Sequence, residues 1–510
     1  MSLQFITGNS GNGKTKYLFN RIVKEAKANP RDNYLVIVPE QFTMQTQRQL
    51  VDLSENKAIM NIDVLSFKRL AYRVFDELGI TNLTVLEETG KNLVLRKLAA
   101  QEADKLGVIG RNLNRIGYIS EVKSLLSELV QYNISPEELG RYIDSGSLSD
   151  TLTGKLKDVL VLYEAFEKFM QDKYITAEEI LNVLSNVAEE SAILRNSVIA
   201  FDEFTGFTPI QNQLIKKLFV ISKKIYVTLT IDCREDIFKS RGMQELFDMP
   251  KRTVKSLTEM AAFYGIEVEE PIILDKNYRL AENEELSFME QHLFRKRRCS
   301  FKKAPKHIHI DCLRDPKQEL TKIARRINEL VRNENLRYRD IAIVTGDVNI
   351  YAGYVREIFD KYNIPYFIDA TQEILFHPFI EFIRSIPDIA AQNFSTDAVF
   401  RFLRCGFTEL SASEIDVLEN YVLACGVRGK SAWDKKWVRL PKHKAGYDLE
   451  LLNQSREYIM ELLKPVYQVF SDKKSTVKDY VLAIYKLIVL LDIPDKLAKK
   501  EQALLDAGDQ

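Results

Sequence analysis

Cysteine is scarce in this sequence, and the few cysteines present limit the kinds of site that the chain can contain. There are five among 510 residues, and no two of them form a C-x-x-C pair. Their scatter argues against a zinc site or a disulfide framework and fits a reducing cytoplasm. The five are Cys233, Cys299, Cys312, Cys405 and Cys425.

Net charge and long apolar runs are also missing. The 72 basic residues balance the 72 acidic residues, so any nucleic-acid site must be a local patch and not a property of the whole chain. The apolar runs are too short, or too often interrupted by charge, to span a bilayer. The N-terminus enters a predicted strand directly, which leaves no room for a signal peptide. We therefore expect a soluble, cytoplasmic protein with no membrane partner.

One stretch near the N-terminus carries a specific functional signal. Residues 3–6 (LQFI) predict a buried strand, and residues 8–15 (GNSGNGKT) match G-x-x-x-x-G-K-[ST], the phosphate-binding loop. Apolar residues then recur at three- and four-residue spacing from Leu18 to Ala26, which predicts a helix. Because strand, loop and helix occur in the required order, the sequence predicts nucleotide binding.

Each residue type in this loop suits a phosphate site. Gly8, Gly11 and Gly13 allow successive backbone N–H groups to turn inward around phosphate oxygens. Lys14 would reach the β- and γ-phosphates, and the Thr15 hydroxyl would ligate magnesium. The alternative is a glycine-rich turn that matches the pattern by chance.

A phosphate loop needs an acidic partner to hold magnesium, and Asp202 and Glu203 are the best candidates. They directly follow a predicted buried strand at residues 198–201. Asp202 would bind the metal, mostly through water, and Glu203 would orient or activate the attacking water. The alternative is an acidic strand end that faces solvent.

Short apolar segments alternate with helical patterns over much of the chain, as in a parallel α/β sheet. Besides residues 3–6 and 198–201, the first part has predicted strands at 34–38, 62–65 and 225–229. From about residue 86 to residue 196 the pattern is nearly all helical. A second α/β unit is predicted from strands at 308–310, 341–344 and 364–368, with helices near 320–331 and 354–362 between them.

A basic segment runs from Arg295 to His307 and holds seven Lys and Arg residues and no acidic residue. It could follow a DNA backbone through counterion release. A solvated linker between the two α/β units explains the same charge without a ligand, and we favour that interpretation.

Two segments resemble superfamily-one DNA helicases of the UvrD and RecB kind. FDEFTGFTPIQ, residues 201–211, is similar to their D-E-F-Q-D-x-x-x-x-Q segment, and LDKNYR, residues 274–279, to their N-Y-R segment. By that resemblance Tyr278 would stack on the adenine and Arg279 would approach the γ-phosphate. Ordinary surface residues are the alternative for both.

The departures from this helicase pattern predict a damaged motor. Thr205 and Gly206 replace the Gln-Asp pair that couples nucleotide state to DNA movement. The segment that is usually G-D-x-x-Q-S-I-Y appears only as residues 230–238, without its glutamine and serine. No adenine-reading glutamine segment precedes the loop, and no later motif with a second-domain arginine follows.

The combination is similar to the N-terminal half of the AddB family, the second subunits of AddAB (RexAB) helicase–nucleases. Residues 6–22, 38–43, 64–75 and 204–211 carry this resemblance. It implies a subunit that processes double-strand DNA ends for recombinational repair, uses ATP and Mg²⁺, scans a single strand for a Chi-type sequence and pairs with an AddA-type subunit as a heterodimer. The family's nuclease domain and iron–sulfur cluster lie in a C-terminal part, so this chain is expected to be an N-terminal fragment.

The resemblance also implies a fold class and four regions. The fold is predicted to be α/β, with the parallel sheets of a RecA-like P-loop NTPase and large all-helical insertions. Residues 1–85 and 196–294 would form the P-loop domain, and residues 86–195 a helical insertion. Residues 295–375 would form a second, incomplete RecA-like unit, and residues 376–510 a truncated helical region.

Six residues match family positions that face the single strand. Amide and guanidinium groups suit hydrogen bonding to base edges, and aromatic faces suit base stacking. The alternative for Phe67, Tyr72 and Phe207 is that they belong to the hydrophobic core. The six are Gln41, Thr43, Phe67, Arg69, Tyr72 and Phe207.

Three functional hypotheses follow from these residues. The first is an ATP- and DNA-binding helicase–nuclease subunit whose Asp202 and Glu203 serve ATP hydrolysis. The second is a non-catalytic scaffold that binds DNA and its partner and keeps the phosphate loop as a structural feature. The third is an unrelated P-loop enzyme such as a kinase, which the N-Y-R segment and the long helical insertion disfavour.

Overall fold

The computed structural model describes residues 1–81, 84–110, 116–145, 148–171, 174–295, 299–370, 374–441 and 446–507. The chain divides into two compact units, Met1–Ile310 and Asp311–Gln510. Within the described ranges, no helix is both long enough and apolar enough to cross a membrane.

A parallel sheet forms the centre of the first unit. Its seven strands lie in the order β3-β2-β6-β7-β1-β8, with β9 pairing β1 as well, and all of these pairings are parallel. A separate parallel pair is formed by β4 and β5. The strands are β1 (Ser2–Gly8), β2 (Tyr34–Ile37), β3 (Ile62–Leu65), β4 (Val85–Leu86), β5 (Ile175–Thr176), β6 (Val198–Phe201), β7 (Lys224–Thr230), β8 (Glu267–Val268) and β9 (Ile272–Leu274).

Eleven α-helices are described in the first unit. They are α1 (Lys14–Ala28), α2 (Thr43–Leu53), α3 (Phe67–Leu78), α4 (Glu88–Gln101), α5 (Ile116–Gln131), α6 (Pro136–Asp144), α7 (Asp150–Met170), α8 (Ile180–Val187), α9 (Pro209–Ile221), α10 (Asp248–Phe263) and α11 (Glu284–His292).

Helices cover both faces of the sheet, because side chains alternate along each strand. On β1, Leu3 and Phe5 pack into a core with α3, α8, α9 and α10. Ile6 belongs to a second core, formed with α1 and α2 on the opposite face. Helices α4 to α7 bury a third apolar cluster of their own. The prediction of an α/β fold with a parallel sheet is confirmed.

The second unit is helical in the residues described. Its helices are α12 (Pro316–Asn333), α13 (Val348–Lys361), α14 (Pro378–Ala391), α15 (Thr396–Arg404), α16 (Ala412–Cys425), α17 (Lys430–Asp434), α18 (Leu449–Ser471), α19 (Val477–Leu490) and α20 (Ile493–Asp506). Helices α14 to α20 share one core, at the centre of which Trp433 is fully buried and Trp437 is almost so.

Three strands predicted for the second α/β unit do not form. Residues 308–310, 341–344 and 364–368 take part in no strand pairing among the described residues, although α12 and α13 lie where helices were expected. Ile310 is 94% exposed, Val344 93% and Phe367 88%. The prediction was wrong because an apolar run becomes a strand only when neighbouring strands satisfy its backbone.

Candidate functional site

The predicted phosphate loop connects β1 to α1 at the carboxyl end of the sheet, as its sequence requires. Close neighbours leave no room for a side chain at Gly8 or Gly11. A Cβ at Gly8 would lie 2.6 Å from the carbonyl oxygen of Leu274. At Gly11, where φ is +90°, a Cβ would lie 2.8 Å from both the Cβ of Arg279 and Oδ1 of Asn277. Residues 274–279 therefore close directly over the loop.

Asparagines hold the loop in place, and sequence reasoning missed them. Asn12 is 2% exposed and donates from Nδ2 to the Leu274 carbonyl at 2.6 Å. Asn9 is 5% exposed, donates to Oε1 of Glu290 at 2.6 Å and accepts from the Cys233 backbone N–H at 3.1 Å. Both occupy x positions of G-x-x-x-x-G-K-[ST], so the motif itself gives no signal for them.

Lys14 points back into the loop. Its Nζ donates to the carbonyl oxygens of Gly8 and Asn9, each at 3.0 Å. Burial lowers the pKa of Lys14 from its usual range, and the nearby carboxylates Glu203 and Asp202 oppose that shift. An ammonium held by two carbonyls of the phosphate loop is placed to exchange those carbonyls for phosphate oxygens.

Asp202 lies at the end of β6, buried beside the loop. One carboxylate oxygen, Oδ1, accepts a short hydrogen bond from the Thr228 hydroxyl. The other, Oδ2, is buried and has no hydrogen-bond partner among the described residues. Burial, with the neighbouring charge of Glu203, raises the pKa of Asp202. A buried carboxylate oxygen left open in this way is suited to a cation or its bound water.

Glu203 adopts a left-handed backbone conformation with φ of +64°. Non-glycine residues seldom do so, and strained positions of this kind cluster at functional sites. The conformation leaves the Glu203 side chain exposed, and its Oε1 accepts from the Thr15 hydroxyl at 3.3 Å. Thr15, Asp202 and Glu203 thus come together, as the sequence analysis expected.

The N-Y-R segment lies on the outer side of the loop. The Tyr278 backbone N–H donates to the Gly11 carbonyl at 3.0 Å, and its ring is 65% exposed, with Lys276 Nζ 4.9 Å from the ring centroid. Arg279 reaches the Ser10 hydroxyl at 3.5 Å through Nη1. Asn277 donates to the Ser10 carbonyl at 3.1 Å and fixes the segment on the loop.

These groups line one cleft of about 720 Å³. Gly11, Gly13, Lys14, Thr15, Asp202, Glu203, Tyr278 and Arg279 all contribute to its walls. Gln49, Asp52 and Leu53 of α2 form a further wall that no motif identified. The volume and the mixture of charged and aromatic groups fit a nucleoside triphosphate better than a small metabolite.

A metal at this cleft would depend on the nucleotide for most of its ligands. No group of three or more His, Cys, Asp or Glu residues that could hold a metal occurs in the described part of the chain. The Thr15 hydroxyl and the open oxygen of Asp202 match the sparse protein ligation of magnesium, which keeps water and takes substrate phosphates. The residues therefore fit Mg²⁺ bound with a nucleotide.

Three of the predicted DNA-contact residues lie in or against the core. Phe67 is 7% exposed, with its ring centroid 5.8 Å from that of Phe201, and Phe207 is half-buried 5.3 Å from the same ring. Thr43 is 3% exposed and donates to the Glu40 carbonyl. The packing of Phe67 and Phe207 favours the core alternative for these two, and DNA contact by all three stays a prediction.

Gln41, Arg69 and Tyr72 are exposed near the carboxyl ends of β2 and β3. Arg69 Nε lies 3.0 Å from Oε1 of Glu40, and the other carboxylate oxygen, Oε2, accepts a short hydrogen bond from the Ser66 hydroxyl. These two hydrogen bonds, from Ser66 first, lower the pKa of Glu40 and hold the pair together. DNA contact by these three exposed residues also stays a prediction.

Residues 230–238, the weak match to the helicase G-D-x-x-Q-S-I-Y segment, contact both the phosphate loop and the start of the basic segment. Asp232 is 1% exposed and binds Arg234 at 2.5 Å and Arg295 at 2.8 Å. At the other end of the basic segment, the backbone N–H groups of Lys306 and His307 donate to Glu285. Residues 296–298 lie outside the described residues, so DNA contact and solvated linker both stay open.

Comparison with known proteins gives long matches to the B subunits of ATP-dependent helicase/deoxyribonucleases. The chain is 39% identical over 504 residues to this subunit from Lachnoclostridium phytofermentans, covering 98% of this chain and 44% of that protein. It is 32% identical over 522 residues to its counterpart of the same name in Clostridium acetobutylicum, covering 100% of this chain and 45% of that protein. The chain thus spans less than half the length of these relatives.

The family profile described as "ADDB, N-terminal" matches residues 5–290, which is more than half of the chain. That range contains the second half of β1, the phosphate loop, Asp202, Glu203 and the N-Y-R segment. The resemblance drawn from the motifs is confirmed: the chain belongs to the AddB family.

Proposed function

We propose that this chain is the ATP- and DNA-binding N-terminal part of an AddB-type helicase–deoxyribonuclease subunit that processes double-strand DNA ends for recombinational repair. The observation that carries the proposal is the convergence of the phosphate loop, Asp202–Glu203 and Tyr278–Arg279 on one cleft. The phosphate loop is separated from the other two segments by about 200 residues or more of sequence, and only the fold unites them.

Each group has a role in nucleotide binding. Lys14 and the loop N–H groups hold the β- and γ-phosphates, and Tyr278 offers its exposed ring to the base. Arg279 neutralises charge on the terminal phosphate. Thr15 and Asp202 would hold Mg²⁺, which supplies charge neutralisation across the phosphates when bound.

Glu203 is the residue placed to support hydrolysis. Its carboxylate is exposed to the cleft beside Thr15, where it can accept a hydrogen bond from a water and orient it toward the terminal phosphate. Thr205 and Gly206, which follow it, lack the amide and carboxylate that couple this step to DNA movement in related helicases. The chain therefore binds ATP but contributes little translocation.

Single-stranded DNA would cross the exposed surface of Gln41, Arg69 and Tyr72, where a Chi-type sequence is scanned. An AddA-type subunit would complete a cytoplasmic heterodimer and act as the main motor. By the family resemblance, a nuclease domain and an iron–sulfur cluster would lie in a C-terminal part that this chain does not span.

Nucleotide binding is tested by titrating the chain with fluorescent ATP in the presence of magnesium. Lys14→Ala should weaken binding by about a hundredfold, since it removes a charge-assisted contact to two phosphates. Lys24→Ala is the matched control, because Lys24 is an exposed lysine on the same helix. Equal affinity of the wild-type chain and Lys14→Ala, or no binding by either, would leave the second hypothesis, a scaffold with a structural phosphate loop.

The DNA surface is tested with two arginines of α3. Arg69 and Arg73 are both exposed and both paired with a carboxylate, Glu40 and Asp63 respectively. Arg69→Ala should lower affinity for a single-stranded oligonucleotide several-fold at constant salt, and Arg73→Ala should have a smaller effect. If the two variants lose the same affinity, the assignment of this surface to DNA is wrong.

A further inference from the structure

A second basic surface lies in the helical unit, at residues 428–441 between α16 and α18. This segment, here called the basic loop, contains five basic residues and one acidic residue, in a chain whose charges balance overall. It includes the short helix α17. Lys442 and Lys444, the next two Lys or Arg residues, lie outside the described residues.

The backbone of the basic loop is fixed from beneath by buried polar side chains. Arg456, 5% exposed, donates from Nη1 to the Trp433 carbonyl at 2.9 Å. Asn453, 6% exposed, accepts from the Trp437 N–H and donates to the Trp437 carbonyl, each at 2.9 Å. The Tyr421 hydroxyl donates to the Arg439 carbonyl at 2.7 Å. A loop held in this way loses little conformational entropy when a ligand binds.

The charges of the basic loop are left open to solvent. Lys430 and Asp434 pair within the loop at 2.6 Å. The remaining four cations are exposed and have no ion-pair partner among the described residues: Arg428, Lys435, Lys436 and Arg439. A loop with a fixed backbone and several exposed, unpaired cations is typical of a surface that binds a polyanion.

The aromatic residues of the loop indicate which polyanion it suits. Trp433 is fully buried and Trp437 is 6% exposed, so neither offers a face on which an unstacked base could lie. Single-strand sites combine cations with exposed aromatic platforms. Cations without such platforms suit the phosphates of a duplex, whose bases are already stacked.

We propose that the basic loop binds the phosphate backbone of double-stranded DNA. Arg428, Lys435, Lys436 and Arg439 contact phosphate oxygens without reading base sequence, so the site positions a duplex regardless of its sequence. This site belongs to the second unit, whereas the nucleotide cleft and the proposed single-strand surface belong to the first, and the proposal does not depend on either.

The test measures affinity of the chain for a fluorescent duplex of arbitrary sequence over a range of salt concentrations. Lys435→Ala/Lys436→Ala should lower affinity roughly tenfold near 0.05 M salt and reduce the steepness of the log K against log salt plot by about 2, one unit per lost phosphate contact. Affinity for a single strand should change less than affinity for the duplex.

Lys473 and Lys474 provide the matched control. They are also an exposed lysine pair in the second unit, but Asp472 and Asp479 flank them. Lys473→Ala/Lys474→Ala removes the same charge and should leave the salt dependence nearly unchanged. Circular dichroism checks that both variants fold.

Three results would overturn the proposal. They are an unchanged salt slope in Lys435→Ala/Lys436→Ala, an equal change in the control pair, and a larger loss for single strands or for an acidic protein than for the duplex. ATP titration of the same variants keeps the two proposals apart. Loss of duplex binding with unchanged ATP affinity supports the basic loop whether or not the nucleotide cleft functions.

Discussion

The two units respond differently to the same sequence pattern of short apolar runs between amphipathic helices. In the first unit the runs pair into a parallel sheet, and Phe5 on β1 is fully buried. In the second, the runs at 341–344 and 364–368 pair with no strand among the residues that the structure describes, and Phe367 is 88% exposed. β1 has strand neighbours on both sides, β7 on one and β8 and β9 on the other, from segments more than 200 residues away. A short apolar run therefore predicts a strand only when other segments of the chain can pair with it.

The largest expected effect comes from comparing one residue type across the two units. Phe5→Ala should lower the free energy of unfolding by about 3–5 kcal/mol, because it leaves a cavity in a core that is packed on both faces of the sheet. Phe367→Ala should stay within about 0.5 kcal/mol of the wild type. Urea denaturation followed by circular dichroism measures both. Similar losses for the two variants would remove the contrast between the units.

A smaller loss is expected at the buried arginine of the second unit. Arg456→Met keeps the side-chain volume but leaves the Trp433 carbonyl without its donor, which should cost about 1–3 kcal/mol. Hydrogen–deuterium exchange should rise in peptides covering α17 and α18 while peptides from β1 and β7 stay protected. Arg428→Met is the control, since Arg428 is exposed and unpaired among the described residues. Faster exchange at β1 in Arg456→Met would show that the two units do not unfold independently.

A substitution that abolishes ATP binding at the nucleotide cleft should leave the second unit unchanged. Gly11→Ala places a Cβ against Asn277 and Arg279 at a position with φ of +90°, so affinity for ATP should fall by roughly ten- to a hundredfold. Gly79→Ala is the control, because Gly79 has φ of +68° but nothing within 4 Å of the added Cβ. That variant should lose stability and keep its ATP affinity. Weaker ATP binding in both variants would trace the effect to backbone strain in general.

The smallest effect concerns pH and also belongs to the first unit alone. The pKa of Asp202 is raised by burial, so this carboxylate takes up a proton at a higher pH than an exposed aspartate does. A proton there competes with magnesium. Magnesium-dependent ATP affinity should therefore fall as the pH is lowered, by at most about tenfold per unit.

Asp202→Asn isolates this contribution, since titration of the nucleotide itself is common to both proteins. The difference in affinity between wild type and variant should shrink as the pH falls, and it should vanish when magnesium is omitted. A constant difference across pH would mean that Asp202 does not titrate in this range.

Features that depend on neighbouring residues in the sequence could be predicted for this molecule, and features that depend on distant residues could not. Residues 8–15 and five strands of the first unit, β1, β2, β3, β6 and β7, were predictable because the motif and the apolar runs are local. The two- and three-residue strands β4, β5, β8 and β9 were not predicted. Asn9 and Asn12 were not, since their partners, Glu290 and Leu274, lie more than 260 residues away. Gln49 and Asp52 of α2 carry no motif and reach the cleft only through helix packing. Phe67 was assigned to either DNA or core, and only the packing of its ring against Phe201 bears on that choice.

The placement of Trp433 and Trp437 has a practical consequence for experiments on this protein. They are the chain's two tryptophans, and both are buried residues of the basic loop itself, in the second unit. Excitation selective for indole therefore reports on that unit alone, because the first unit contains no tryptophan. Tryptophan emission can thus be used to measure binding of a duplex to the basic loop without a label. The emission should not change when ATP binds in the cleft.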